Sequence, residues 1–201
     1  ADRTCSCTHL ARGLETTLER GSDLRMHHRR VGVRAVNDLP APLLHPLISI
    51  TALIAEAEVL GRCVDGYRVN YPIIGGHFSG PLLRGEVLPG GVDCFLLRQD
   101  GVGDLDARYQ LRTQDGVLIN IHNIGQLTMT ERGRELDAQG IWPIPASEYN
   151  CTCTPRFQVA EGPLGWLTQH AFIGLVHYPS ASEVLIQCYS LGPIALRTAA
   201  G

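Results

Sequence analysis

The chain has 201 residues and a formal net charge of -3, from 17 basic and 20 acidic side chains. Every basic residue is arginine, which excludes Schiff-base chemistry, a pyridoxal phosphate anchor and a phosphate-loop lysine. With 44% hydrophobic and 18% charged residues the chain reads as globular. Its slight acidic excess speaks against a nucleic-acid partner, and no run reaches the roughly 18 apolar residues of a membrane span.

Residues 8–20 read as a short helix, with Leu10, Leu14 and Leu18 on one face, Thr8 as its cap and Gly21 as its stop. The Arg- and His-rich stretch 21–37 reads as an exposed extension, in which the neighbouring His27 and His28 cannot readily chelate one ion. Residues 1–40 are therefore expected to form a helical and extended segment ahead of a single domain over 41–201. In that domain strands are expected at 43–60, 67–74, 82–88, 93–98, 105–113, 117–124, 156–160, 171–178 and 183–191. Gly75-Gly76, Pro89-Gly90-Gly91, Asp100-Gly101 and Asp115-Gly116 punctuate them as turns. A polar helix is expected within 128–140, and a turn of helix at 165–170. Many short strands joined by tight turns predict an all-β antiparallel barrel of the lipocalin-like kind, with room for one small ligand.

Seven cysteines stand at 5, 7, 63, 94, 151, 153 and 188. Asn150-Cys151-Thr152 is an acceptor sequence for N-glycosylation, and the chain begins with Ala1 rather than methionine. Together these point to a secretory or vesicular setting. The pairing expected first joins Cys5 and Cys7 to Cys151 and Cys153, stapling the N-terminal segment onto the barrel. A zinc site and buried free thiols are the alternatives, and Cys94 and Cys188 fit the last best.

The run GGHFSGPLLRGEVLPGGVD at 75–93 resembles domain-of-unknown-function family 3237, also called uncharacterised protein family 0311. Leu105-Asp106-Ala107-Arg108-Tyr109, the run 113–119, Pro155-Arg156-Phe157, and Trp166-Leu167 ahead of Phe172-Ile173-Gly174 resemble its later blocks. The resemblance covers about 43–191 and implies a compact antiparallel barrel with a central pocket. Residues 1–40 and the cysteine-rich loop at 151–153 depart from the bacterial pattern and look like a secreted fungal elaboration. By analogy with small fungal barrels of natural-product pathways, the resemblance implies a cofactor-free cyclase or cycloaddition catalyst, or an isomerase. The alternative is a lipocalin-like binding protein without chemistry, and a pocketless structural barrel is the third reading.

Period-two alternation sorts the residues that could act inside such a barrel. In 105–113 one face holds Asp106, Arg108, Gln110 and Arg112, and the other Ala107, Tyr109, Leu111 and Thr113. If Asp106 and Arg108 face inward they form a desolvated pair; if outward, a surface ion pair of little worth, with Tyr109 as the pocket residue. Arg84, Tyr109 and His122 are the candidate catalytic residues: arginine polarises an oxygen, and tyrosine or histidine can move a proton. Tyr71, His77, Phe78, Glu86, Arg108, Asn120, Arg156, Phe157 and Trp166 are the candidate walls and anchors for a small apolar or aromatic substrate. No nucleotide loop, nucleophile elbow or paired-histidine metal spacing is present, so neither cofactor nor metal is expected; a homodimer is left open. Because arginine cannot act as a base, any proton transfer must fall to His122, His77, Tyr109 or a carboxylate. If none of these faces the pocket, a purely electrostatic, pericyclic catalysis is the stronger reading.

Overall fold

The computed structural model describes residues 41–194. The helix expected at 8–20, the extension after it, and Cys5 and Cys7 lie outside the described residues. Ten strands follow in order: β1 Leu44–Ile54, β2 Glu58–Cys63, β3 Gly66–Ser79, β4 Arg84–Val87, β5 Gly91–Leu97, β6 Gly103–Thr113, β7 Leu118–Met129, β8 Tyr149–Val159, β9 Phe172–Ser180 and β10 Glu183–Leu191. One helix, α1 Glu131–Ala138, lies between β7 and β8. Thr130 caps it by accepting the Gly133 N–H at 3.0 Å.

The strands form one antiparallel sheet in the order β1-β10-β9-β8-β7-β6-β4-β3-β2, with β5 between β3 and β6. β1 also pairs with β3, from Ser49 opposite Ser79 to Ile54 opposite Ile73, and this closes the sheet into a barrel. The core is the inner face of the alternation. Leu105, Ala107, Tyr109 and Leu111 of β6, Ile119, Ile121 and Leu127 of β7, and Cys151, Cys153 and Phe157 of β8 are all buried. Their even-numbered neighbours face out.

Three expectations change. The stretch 43–60 is two strands rather than one, because the chain leaves β1 after Ile54 and re-enters beside the other half of β3. Gly75-Gly76 is not a turn: β3 runs through it to Ser79. Gly76 sits at φ 135°, and a Cβ there would lie 2.0 Å from the Thr51 carbonyl oxygen, so glycine lets β1 and β3 close the barrel. The last is β8, which starts at Tyr149, seven residues before the expected 156–160. Its inner partner row includes Pro155, and its ladder with β9 is limited to Thr152 opposite Leu175 and Cys153 opposite Gly174.

Candidate functional site

The two ends of the barrel differ. At the end reached by Thr113, Val159 and Phe172, a 3-10 helix Gly165–Thr168 lays Trp166 and Leu167 into the core. Phe157 and Phe172 meet edge-on there, with centroids 5.2 Å apart. At the other end stand Leu97, Met129, Tyr149 and the 180s turn, with α1 following β7. Aromatic side chains here are half-buried. Tyr71 and Phe95 meet edge-on at 6.2 Å on the β3–β5 side. Tyr178 contacts Trp142 at 4.9 Å and Tyr149 at 5.5 Å on the β8–β9 side. Two strands separate these groups in either direction round the ring, so they lie on opposite sides of the barrel.

Between and below them lie the polar groups of the interior. Asp93, Ala107, Asn123 and Pro155 form one row of cross-strand neighbours over β5, β6, β7 and β8, all directed to the inner face. Tyr109 stands two residues along β6 from Ala107, beside Gly91, where a Cβ would lie 2.4 Å from the Tyr109 Cβ. The Tyr109 hydroxyl and the Asn123 Oδ1 are buried and have no hydrogen-bond partner among the described residues, and neither has His45 Nε2 towards the opposite end. An unpaired buried polar atom costs about 1–3 kcal/mol, which makes it a candidate ligand contact.

Asp93 is the charged member of the set. The β5–β6 ladder is interrupted between the pairs Asp93–Ala107 and Leu96–Asp104. The Asp93 carboxylate fills the gap, accepting the Asp106 backbone N–H at 2.9 Å through Oδ1. Oδ2 accepts no hydrogen bond among the described residues. Burial raises the Asp93 pKa to about 6, against the lowering effect of the Asp106 N–H and with a smaller push from the Asp106 charge. The negative charge of Asp93 in turn contributes to raising Tyr109, Tyr178 and Cys151, in each case behind burial. One carboxylate thus addresses side chains on β6, β8 and β9 across the lumen.

The interior thiols are free. Cys151 and Cys153 lie on the inward face of β8, and among the described residues Cys63, Cys94 and Cys188 are free as well. Alternation along Cys-Thr-Cys-Thr-Pro-Arg-Phe places both β8 thiols on the face of Phe157, inside the wall; Cys5 and Cys7, their expected partners, lie outside the described residues. Burial pushes Cys151 up to about 12, despite the Tyr178 hydroxyl 3.5 Å from its sulfur, and Cys153 up to about 11. They are protonated and poor nucleophiles. Asn150 is exposed on the outer face of β8.

The sequence-derived candidates divide between the two sides of the wall. Tyr109, Tyr71, Phe78, Phe157 and Trp166 are inside, although Phe78, Phe157 and Trp166 are buried in packing rather than offered to a ligand. Arg84, His77, Glu86, Arg108, Asn120 and Arg156 are exposed, and His122 is half-buried on the outer face. Glu86 pairs with Arg112 at 2.7 Å. Asn120 accepts a hydrogen bond from Gln110 and donates one to Gln158. Asp106 accepts from His122 Nε2 at 2.7 Å, with Arg108 Nε at 3.5 Å, so the Asp106–Arg108 face is the outer one. Two outer grooves accompany them. One of about 350 Å³ runs over Gln110, Asn120 and Gln158, and one of about 420 Å³ is lined by Leu82, Arg84, Val117 and Leu164. Among the described residues no group of three or more His, Cys, Asp or Glu is placed to hold a metal, and no helix is long and apolar enough to cross a membrane.

The family model described as protein of unknown function (DUF3237) matches residues 42–191. The chain belongs to this family. A UPF0311 protein of Clostridium acetobutylicum is 36% identical over 128 residues, covering 63% of this chain and 80% of that one. The crystal structure of a beta-barrel-like protein from Acinetobacter baumannii is 28% identical with a TM-score of 0.66, over 77% of this chain and 99% of that one. An enzyme from Penicillium herquei shares the fold at 20% identity and a TM-score of 0.53, over 75% of this chain and 97% of that one. The match to DUF3237 spans both faces of the barrel and so includes Asp93 and Tyr109 as well as the outer arginines. Asp93 was not among the residues chosen from the sequence. Its signal was a single carboxylate in an otherwise apolar strand, Val92-Asp93-Cys94-Phe95-Leu96-Leu97, sharing a face with Phe95.

Proposed function

We propose that the barrel is a cofactor-independent enzyme that takes a small, largely apolar, conjugated molecule at the α1 end and transfers a proton on it, driving a cyclisation. The half-buried aromatic groups on either side of that end suit the faces of a flat substrate. Asp93 is the general base: with a pKa near 6 it is mostly ionised at neutral pH and stays basic enough to take a proton from an acidic hydroxyl or activated C–H. The Tyr109 hydroxyl donates to the oxygen on which charge develops, inside a wall that excludes water. The substrate anion then closes onto an electrophilic carbon of the same molecule. The proton held on Asp93 returns to the atom that carries the resulting charge, so nothing is consumed.

The observation that carries this reading is the half-buried Asp93 carboxylate on the same inner face as the unpartnered Tyr109 hydroxyl. The Penicillium herquei neighbour, named an enzyme, adds support at the level of the fold. A hetero-Diels-Alder-type cycloaddition needs donors but no base. The arginines suited to that role, Arg84, Arg108 and Arg156, lie outside the lumen, so proton transfer is the preferred form.

The test is turnover of a panel of conjugated hydroxy-carbonyl compounds by the intact protein, Asp93→Asn and Tyr109→Phe. Loss of about 10²–10⁴-fold in Asp93→Asn, with ligand still bound, is expected. Turnover kept in Asp93→Asn and lost in Tyr109→Phe would favour cycloaddition. Products equal to the buffer control, with affinity altered in both variants, would leave a lipocalin-like binding protein.

A further inference from the structure

The proton-transfer reading assigns Asp93 a role inside the wall, and the groups directly behind it, on the outer surface, have been given none. Asp106 touches both sides. Its backbone N–H donates to Asp93 Oδ1 at 2.9 Å, at the interruption of the β5–β6 ladder. Its side chain faces out, where Oδ1 lies 2.7 Å from His122 Nε2 and 3.5 Å from Arg108 Nε. His122 stands directly opposite Arg108 on one side and Arg156 on the other. The outer carboxylate is therefore held in place by the His122 ring and the Arg108 guanidinium, while its main chain holds the inner carboxylate.

We propose that Asp106 and His122 are positioning residues for Asp93, fixing the Asp106 N–H on Asp93 Oδ1 and setting the charge behind it. This rests on the reading of Asp93 as the lumen base. A peptide N–H passes no proton, so the coupling is geometric and electrostatic. An ionised Asp106 disfavours a second negative charge on Asp93, and His122 holds the Asp106 side chain in place through its ring nitrogen. The other titratable groups around Asp93 are Tyr109 on β6, Tyr71 on β3, Cys151 on β8 and Tyr178 on β9. Around Asp106 they are Arg108, His122 and, across the ladder gap, Cys94. The raised pKa of Asp93 agrees with this arrangement, since the Asp106 charge contributes to it.

The experiment is a carboxyl-carbon NMR titration of the full chain labelled at aspartate, with the Asp93 signal assigned by its loss in Asp93→Asn. Asp106→Asn keeps the backbone N–H and removes the charge; His122→Gln keeps a hydrogen-bonding side chain and removes the imidazole. The Asp93 midpoint is expected to fall by about half a pH unit in Asp106→Asn and to move by a smaller amount in His122→Gln, which loosens the Asp106 side chain. Amide spectra of both variants check that the barrel is intact. A parent midpoint near 6 that neither folded variant moves overturns the coupling and leaves the base reading standing. A parent midpoint near 4 overturns the base reading itself.

Discussion

The two ends of this barrel are finished by the same ten strands in opposite ways. At the floor, Trp166, Leu167, Phe157 and Phe172 are all buried, and the 3-10 helix Gly165–Thr168 seals them in. At the mouth, Tyr71, Phe95, Trp142, Tyr149 and Tyr178 keep part of their surface accessible, and Asp93 sits among them. Packing is complete where aromatic rings have only structural work. It is left incomplete where rings surround a carboxylate and two unpartnered polar atoms. A domain that stores unsatisfied polar groups beside a carboxylate in its interior has sacrificed stability there, and binding a ligand is a common reason to do so.

The largest effect expected from this difference is at the floor. Phe157→Ala removes a ring that is 5% exposed and packed edge-on against Phe172. It should cost about 3–5 kcal/mol in denaturant unfolding. Trp142→Ala at the mouth deletes a larger ring, yet should cost less than half of that, because the tryptophan is only half-buried. Equal losses in the two variants would erase the distinction between floor and mouth.

Asp93→Asn should act in the other direction. The carboxyl of Asp93 ionises near its ordinary value of 3.8 in the unfolded chain and near 6 in the folded one. Between those values the folded protein still holds a proton that the unfolded chain has released. Stability therefore falls as pH rises through about 4 to 6 and stays low above it. Asparagine removes the charge and still accepts the Asp106 N–H. The variant should gain up to about 3 kcal/mol at pH 8 and little at pH 4. Unfolding curves at the two pH values measure this. A variant destabilised equally at both would mean that Asp93 is a structural plug for the ladder gap, with no ionisation cost.

Much of this arrangement was legible in the sequence, and the failures have identifiable causes. The alternation in β6 put Tyr109 on one face and Asp106, Arg108, Gln110 and Arg112 on the other, leaving open which was inside. Composition decides it: Ala107, Tyr109 and Leu111 can fill a core, and three charged groups cannot without a large desolvation cost. The same rule read along β8 sends Cys151 and Cys153 inward with Phe157, which the attraction of a disulfide pairing obscured. Asp93 escaped notice because a lone carboxylate makes no periodic pattern. The barrel was expected from the strand pattern, but the contact that closes it was not legible. Closure depends on β1 meeting β3 through Gly76, a contact whose only local trace is a glycine pair indistinguishable from a turn.

Tyr109→Phe is a smaller and cleaner test of the mouth. The hydroxyl is buried without a partner, so its removal takes away a desolvation cost and no hydrogen bond. A gain of about 1 kcal/mol is expected, together with a loss of turnover because the oxygen on which charge develops loses its donor. A loss of stability would show that the hydroxyl is satisfied, by a bound water for example, in the free protein.

The smallest expected change belongs to Arg84→Ala, and it bears on where the site is. Arg84 lines the 420 Å³ groove at the floor end, outside the wall, with Leu82, Val117 and Leu164. That groove offers more open volume than the other outer groove, at about 350 Å³, and it carries a guanidinium that could hold an anionic or polarised oxygen. Volume favours it; chemistry favours the mouth. The groove has no buried polar atom awaiting a partner, whereas the lumen has the Tyr109 hydroxyl, Asn123 Oδ1 and a raised carboxylate. If those decide function, truncating an exposed arginine should change stability by no more than about 0.5 kcal/mol and leave turnover within twofold. A collapse of turnover in Arg84→Ala, with Asp93→Asn unimpaired, would move the site to the sealed end and reverse the assignment of floor and mouth.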